Sequence, residues 1–195
     1  MGNKVTRGKG LLENYLAKKR ADKANSFFTE TQRQGKILDI GCGSCPYFLI
    51  NTRFQEKYGI DPSIKATEVK KVILKKMKAT DQTLPFEDNF FDVVTMLAVF
   101  EHIEKEKVDD LLKEVKRVLK KEGLLVITTP SPWVDSLLHM MGRVGLISSE
   151  EIEDHKHNHE RVKIEGMLEK AGFKNNMIRS GFFEIFANMW FSAIK

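Results

Sequence analysis

The residues best suited to chemistry in this chain lie in one short loop, which contains Asp39, Gly41, Cys42, Gly43 and Cys45. The Cys-x-x-Cys spacing is typical of redox dithiols and of metal sites. A redox pair reacts as thiolates, and a structural zinc ion needs about four ligands. Glycines at this spacing instead let the backbone approach a ligand closely, with the sulfurs only filling space. Asp39 and Gly41 close a buried strand, which dithiol exchange does not require. We therefore favour a ligand-binding glycine loop and predict no metal.

A second carboxylate follows at a spacing that suits a nucleoside. Asp61 lies 22 residues after Asp39, at the end of another short apolar run. Its carboxylate can accept hydrogen bonds from both hydroxyls of a ribose. The alternative is that Asp61 only starts a turn before Pro62, as Asp-Pro pairs commonly do.

The histidines leave two interpretations open. His102 follows a strand in "FEHI" and is either a base or substrate contact, or a residue that only lines the rim of the ligand site. His155 belongs to "DHKHNH", which is either a solvated loop or part of the substrate mouth. Tyr15 is a third candidate for the catalytic side of the site.

The order of apolar segments predicts an α/β fold. An N-terminal helix ending near Phe28 is followed by strands at "KILDIG", "KYGIDPS", 72–79, "FFDVVTML" and "LLVITTP", with a helix over 105–122 closed by Gly123. Alternating strands and helices give a doubly wound, mostly parallel sheet with helices on both faces. The last two runs, 174–180 and 185–194, suit an antiparallel pair, so we expect seven strands with an antiparallel C-terminal strand. Ligands bind such sheets at the carboxyl ends of the strands.

Composition limits the function classes. With 195 residues, 42% hydrophobic and 30% charged, the chain suits a single globular domain. No apolar run approaches the ~20 residues that span a bilayer, no signal peptide is evident, and two cysteines cannot form a disulfide framework. We expect a cytoplasmic protein. The net charge of +5, with lysines crowded at 65–78, either attracts an anionic substrate or RNA or is a solvated face.

The motifs in combination resemble the class I S-adenosylmethionine-dependent methyltransferases. The resemblance rests on Asp39-x-Gly41-x-Gly43, on Asp61, and on "DQTLPFEDNFFDVV" followed by "FEHI", and it runs from about residue 30 to 130. It is closest to the small members with the LPF-x-D-x-x-FD signature. One departure is Cys45, which replaces the third glycine of the usual Gly-x-Gly-x-Gly.

This resemblance implies S-adenosylmethionine as the cofactor and assigns roles by position. Asp39 would help to hold the amino group of the cofactor, Asp61 the ribose and Asp81 the adenine amino group. Backbone contacts would come from Gln82 and from the end of the fourth strand. The complete set of expected cofactor-binding residues is Asp39, Gly41, Cys42, Gly43, Asp61, Pro62, Asp81, Gln82, Leu97 and Ala98.

The resulting hypothesis is a methyltransferase that acts on a small-molecule acceptor. Residues 1–195 would form one domain, with a lid helix at 1–28 and an insert near the acceptor site at 133–159. The alternatives are a non-catalytic subunit that binds S-adenosylmethionine, or methylation of RNA or protein. Amino methylation of bases is disfavoured because "MLAV" stands where an Asn/Asp-Pro-Pro-Tyr-type tetrad would be. The acceptor, the need for a base and the oligomeric state stay open.

Overall fold

The computed structural model describes residues 11–81, 83–131, 161–185 and 187–195, with side chains from Tyr15 onwards. Its centre is one sheet of eight strands in the order β3-β4-β2-β1-β5-β6-β8-β7. β1, β2, β4, β5 and β6 are mutually parallel, and β8 runs antiparallel to both β6 and β7. The strands are β1 (Lys36–Ile40), β2 (Glu56–Ile60), β3 (Glu68–Val69), β4 (Val72–Lys75), β5 (Phe91–Leu97), β6 (Leu119–Pro130), β7 (Ile178–Phe183) and β8 (Asn188–Ile194).

Helices cover both faces of this sheet. α1 (Leu11–Asn25) and α3 (Tyr47–Asn51) pack on one face, where Ala24, Phe48 and Leu49 are buried. α4 (Lys105–Val118) and α5 (Arg161–Lys170) supply buried side chains to the core on the other face. α2 (Glu30–Arg33) is a single turn with a Thr29 capping box. The predicted doubly wound fold is confirmed, and the strand beyond the expected seven is the two-residue β3.

The boundary between α4 and β6 differs from the prediction of a helix over 105–122. The helix ends at Val118, and Leu119 is already extended and paired with Phe91 of β5. The register shifts before Val93 pairs with Leu124, so the intervening residues form an irregular part of β6. Helical spacing in "KRVLKKEG" could not reveal this, because the strand pairing depends on residues far away in the sequence.

The N-terminal helix also differs from its prediction. It ends at Asn25, so Phe28 is buried beyond the helix and does not belong to its apolar face. Ala21 and Ala24 are the buried residues of α1, whereas Tyr15 is 53% exposed. The second half of α1 is therefore part of the core. Among the described residues, no helix has the length and apolar character needed to cross a membrane.

Candidate active site

The glycine loop follows β1 at the point where strand order reverses, since β1 lies between β2 and β5. Gly41 and Gly43 both have left-handed backbone, with φ of 76° and 73°. A Cβ on Gly41 would lie 2.2 Å from Cγ2 of Val99, so this position is closed by packing. A Cβ on Gly43 would have no neighbour nearer than 4.0 Å. The loop is thus anchored at Gly41 and open at Gly43, where a ligand could approach the backbone.

Asp61 directly follows β2 and connects to this loop. Its Oδ2 accepts a hydrogen bond of 3.1 Å from the Gly43 amide, and its Oδ1 accepts one of 2.7 Å from the Ser63 amide. The Ser63 hydroxyl donates to the same Oδ1. One carboxylate oxygen therefore stabilises the turn at Pro62 and the other binds the glycine loop, and the ribose-binding role of Asp61 stays a prediction. Pro62 itself is exposed at this edge.

Asp39 is buried at the end of β1. Its Oδ1 accepts a hydrogen bond of 2.6 Å from the hydroxyl of Thr95, on the neighbouring strand β5. Burial is the main reason that the pKa of Asp39 is raised to about 7; the Thr95 hydrogen bond opposes the shift, and the nearby Asp61 carboxylate adds to it. A buried carboxylate of this kind is stabilised in its charged form by a cation.

The cysteines do not form a redox pair of reactive thiolates. Cys42 is buried, and its sulfur would lie 2.7 Å from a Cβ added to Gly59 of β2. Burial, with Asp39 and Asp61 nearby, raises the pKa of the Cys42 thiol far above its usual range. Both cysteines are free thiols. Among the described residues, no cluster of three or more metal-binding side chains occurs.

Asp81 lies after β4 in a cluster of surface ion pairs. Its Oδ1 is 3.8 Å from Nζ of Lys78 and 3.9 Å from Nζ of Lys107, and both lysines also pair with Glu104. The Asp81 carboxylate therefore pairs with Lys78 and Lys107 in this structure. Gln82, its neighbour in the predicted set, lies outside the described residues, as do His155 and the 133–159 insert.

The end of β5 forms the other wall of the loop. Leu97 and Ala98 are partly exposed, and Ala98 adopts left-handed backbone with φ of 54° while its amide donates to the Thr128 carbonyl at 2.9 Å. The turn that follows directs Val99 onto Gly41. His102 lies exposed in the short 3-10 helix Phe100–His102, next to the buried Glu101.

Three residues of this region were missed by sequence reasoning. Thr95 binds Asp39 across strands, and Val99 closes the glycine loop. Glu101 is a buried carboxylate in the short 3-10 helix after β5 and was not singled out. Its position inside "FEHI" was a usable signal, because a glutamate directly after a phenylalanine in an otherwise apolar stretch is an unusual place for a charge. Thr95 gave no such signal, since threonine is common in strands.

The polar segment after Asp81 has a structural role. Arg117 of α4 donates to the carbonyls of Leu84 and Phe86, each at 2.9 Å, and to Oδ1 of Asp88 at 2.7 Å. Phe91 is fully buried. The Arg117 bonds and the buried Phe91 thus fix this segment against the core.

A groove opens at the same edge of the sheet, between α1 and the turn that joins β7 to β8. Its volume is about 640 Å³. Because β8 runs antiparallel to β6, this turn lies beside Pro130, at the carboxyl end of the parallel strands. The lining includes Tyr15, Leu16, Phe183 and Ile185. Tyr15 therefore lines this groove, and its role toward an acceptor stays a prediction.

Comparison with known proteins agrees with this geometry. Residues 38–127, which contain the glycine loop, Asp61 and the end of β5, match the family model of the methyltransferase domain. The chain is therefore similar to the methyltransferase domain over residues 38–127. The matched range contains the carboxylates and glycines described above.

The curated proteins that resemble this chain are distant from it in sequence. An uncharacterized protein of Methanocaldococcus jannaschii is 30% identical over 145 residues, which are 74% of this chain and 57% of that protein. The ubiquinone/menaquinone biosynthesis C-methyltransferase UbiE of Yersinia pestis bv. Antiqua is 30% identical over 116 residues, covering 51% of this chain and 45% of that enzyme. The chain thus spans about half the length of these curated relatives.

A solved structure shares the fold over nearly the whole of this chain. The crystal structure of an S-adenosylmethionine-dependent methyltransferase from Archaeoglobus fulgidus has a TM-score of 0.70 and 19% identity, covering 93% of this chain and 94% of that one. At this identity the likeness shows the fold alone.

Proposed function

We propose that this protein transfers the methyl group of S-adenosylmethionine to a small, partly apolar acceptor. The observation that carries the proposal is the hydrogen bond between the Asp61 carboxylate and the Gly43 amide, at the reversal of strand order. This bond joins a residue suited to ribose hydroxyls to the loop that a ligand can approach closely. In a doubly wound sheet, that crevice is where a nucleoside-containing ligand binds.

The residues present fit S-adenosylmethionine. This cofactor bears a sulfonium and an ammonium group, and the crevice offers two buried carboxylates, Asp39 and Asp61. Gly43 leaves space for a ligand against the loop. When bound, S-adenosylmethionine supplies an electrophilic methyl group on a positively charged sulfur.

The chain's own groups would bind and orient rather than react. Asp61 would accept hydrogen bonds from ribose hydroxyls, and Asp39 would balance the charge of the ammonium group. Asp81, once released from Lys78 and Lys107, would accept from the adenine amino group, with Gln82 beside it. The remaining contacts would come from Gly41, Cys42, Pro62, Leu97 and Ala98 through backbone or packing. Methyl transfer then needs alignment of the acceptor and exclusion of water more than covalent help.

The groove beside α1 is the proposed acceptor site. Its lining is mainly apolar, and it lies at the same edge as the glycine loop. The first half of α1, with Tyr15, would act as the lid, since Ala21 and Ala24 hold the second half in the core. The 133–159 insert would complete the acceptor side. His102 and His155 remain proposed bases for an acceptor that arrives protonated.

A binding experiment tests the cofactor. S-adenosylmethionine or its demethylated product should raise the melting temperature, because a ligand of the native state stabilises it by mass action, whereas NAD should not. Asp110→Ala is a control for Asp61→Ala, because Asp110 is an exposed aspartate of α4 that forms a surface ion pair with Lys113. A shift with NAD alone would refute the proposal.

A labelling experiment tests the acceptor. The protein is incubated with methyl-labelled S-adenosylmethionine and with the small-molecule, RNA and protein fractions of a cell extract. Label in the small-molecule fraction is expected. Label in RNA or protein would correct the substrate class, and cofactor binding without label in any fraction would favour the non-catalytic alternative.

A further inference from the structure

One corner of the molecule combines exposed apolar side chains with a basic helix. We call it the hairpin-tip surface, and it consists of side chains that line the groove mouth on α1 and on the turn between β7 and β8. Ile185, at the tip of this turn, is 91% exposed, and Tyr15 is half exposed beside it. The hairpin-tip surface comprises Tyr15, Leu16, Lys19, Lys23, Phe183 and Ile185.

The exposed Ile185 has an energetically unfavourable backbone conformation. Glu184 and Ile185 both have left-handed backbone, with φ of 53° each. A β-branched residue rarely adopts this conformation, and here its side chain buries almost nothing that would compensate. The turn is nevertheless fixed, since the Ala187 amide donates to the Glu184 carbonyl at 3.0 Å and Asn188 donates to the Glu184 carboxylate at 2.6 Å. A rigid turn thus presents an isoleucine to the outside.

Cationic side chains lie on α1, across the groove from this isoleucine. α1 contains Lys18, Lys19, Arg20 and Lys23 within two turns. The Lys19 ammonium lies 5.3 Å from the centre of the Tyr15 ring, and the Lys23 ammonium lies 4.6 Å from that of Trp190. In the groove lining, Lys19 and Lys23 are matched by Asp22 and Glu184, so the net positive charge of this corner comes from Lys18 and Arg20 of the same helix. Long basic side chains beside aromatic and aliphatic ones are typical of surfaces that lie in a membrane interface.

We propose that the hairpin-tip surface docks on an anionic lipid bilayer. Ile185 inserts below the headgroups, Tyr15 lies at the level of the headgroups, and Lys19 and Lys23 contact lipid phosphates. Charge complementarity and the presented isoleucine together select a lipid surface, because an ordinary polyanion offers nothing apolar for Ile185. Docking itself does not depend on methyl transfer. Its consequence does rest on the proposed function: an acceptor dissolved in the bilayer reaches the groove without crossing water.

Vesicle sedimentation tests docking without cofactor or acceptor. The full chain should sediment with phosphatidylcholine vesicles that contain phosphatidylglycerol, much less with phosphatidylcholine alone, and less at high salt. Ile185→Asp should lower the partition coefficient at least ~10-fold, as expected when a buried isoleucine is lost. Its control is Val162→Asp, which makes the same charge change at a residue that is 72% exposed on α5. This control should change binding by only about fivefold, the effect of one charge.

The Ile185 variants are expected to fold, because the new residues suit the backbone conformation at this position. Asp and Asn tolerate left-handed conformation better than Ile, so Ile185→Asp and the uncharged Ile185→Asn should melt no lower than the parent. Lys19→Ala/Lys23→Ala should weaken binding by roughly 25-fold at low salt, from about fivefold per charge. Lys70→Ala/Lys71→Ala removes the same charge from the turn between β3 and β4, at the other side of the sheet, and should have a smaller effect.

Three results would overturn the proposal. The first is absence of the wild-type chain from anionic vesicles, and the second is unchanged binding of both Ile185 variants. The third is a larger loss with Lys70→Ala/Lys71→Ala than with Lys19→Ala/Lys23→Ala, which would move the docking site to the opposite side of the sheet. If the chain ignores vesicles and forms a dimer that Ile185→Asp dissociates, the occupant is a second copy. Failure of docking leaves cofactor binding measurable, so the two proposals fail separately.

Discussion

The buried carboxyl of Asp39 gives a prediction whose size follows from its surroundings. Its pKa is raised from 3.8 to about 7 because the folded chain removes it from water. For an acid, a raised pKa in the folded state means that ionisation favours unfolding, so the stability associated with this group is present at low pH and is lost as pH rises from about 4 to about 7. Three pKa units correspond to roughly 4 kcal/mol at full ionisation.

Asp39→Asn removes this titration while keeping an oxygen that accepts the Thr95 hydrogen bond. Between about pH 5 and about pH 8, the free energy of unfolding of the variant should rise relative to wild type by roughly 2.5 kcal/mol, the part of the penalty that develops in that interval. Urea unfolding of both proteins at matched pH values measures it, and every other titrating group cancels in the difference. Thr95→Val is the second variant, and it should move the midpoint of this pH dependence upward because the Thr95 bond lowers the pKa.

Ligand binding should favour the ionised form of Asp39, whereas folding favours the protonated form. If Asp39 balances the ammonium group of the ligand, stabilisation of the wild type by the demethylated product should increase as pH rises through about 7. The Asn variant should show weaker stabilisation with little dependence on pH in this range. If the difference in unfolding free energy between wild type and Asp39→Asn stays constant from about pH 5 to about pH 8, the pKa of Asp39 is not raised. An unchanged ligand response in Asp39→Asn would remove Asp39 from the ammonium site.

Three further experiments test Asp61, the two glycines and the two cysteines by substitution with alanine. Asp61→Ala should weaken cofactor binding by roughly 1.5–3 kcal/mol by calorimetry, since charged hydrogen bonds are lost, and unchanged affinity would leave Asp61 as a turn residue only. Gly43→Ala should cost about 1–2 kcal/mol of stability for its left-handed backbone, whereas Gly41→Ala should cost more because its Cβ meets Val99, so equal melting temperatures would contradict the packing argument. Cys42→Ala with Cys45→Ala should change cofactor affinity less than ~10-fold and lower stability by about 1 kcal/mol, and loss of binding would give the sulfurs a direct role.

The sequence was most informative where local pattern and burial coincide. β1 and β5 are short, mostly apolar runs buried in the parallel sheet, and β2 is buried at its last two residues; each was expected near its observed position. The glycines of the loop were informative for the same reason, because left-handed backbone is a local requirement. Asp61 could be placed at the carboxyl edge from its position after β2 alone.

Features that depend on cross-strand partners could not be predicted. Thr95 contacts Asp39 only because β1 and β5 pair in one register, which places Asp39 opposite Thr95. The ion pairs of Asp81 depend on how Lys107 of α4 packs beside the end of β4. Likewise, Leu119 looks helical by spacing and becomes extended through pairing with Phe91. In each case the deciding energy is tertiary and exceeds the local propensity.

Left-handed backbone distinguishes the two edges of the sheet. At the amino edge, the non-glycine examples Lys70 and Asn89 lie in turns that lead directly into β4 and β5. At the carboxyl edge, the same conformation occurs at Ala98 beside the glycine loop and at Ile185 beside the groove, where a Cβ makes it costly. Glycine would relieve the cost at both places but would present no side chain. If the proposed cofactor site and docking surface are right, the backbone direction at Ala98 and the side chain of Ile185 serve contacts outside the folded chain, and this strain is retained for them.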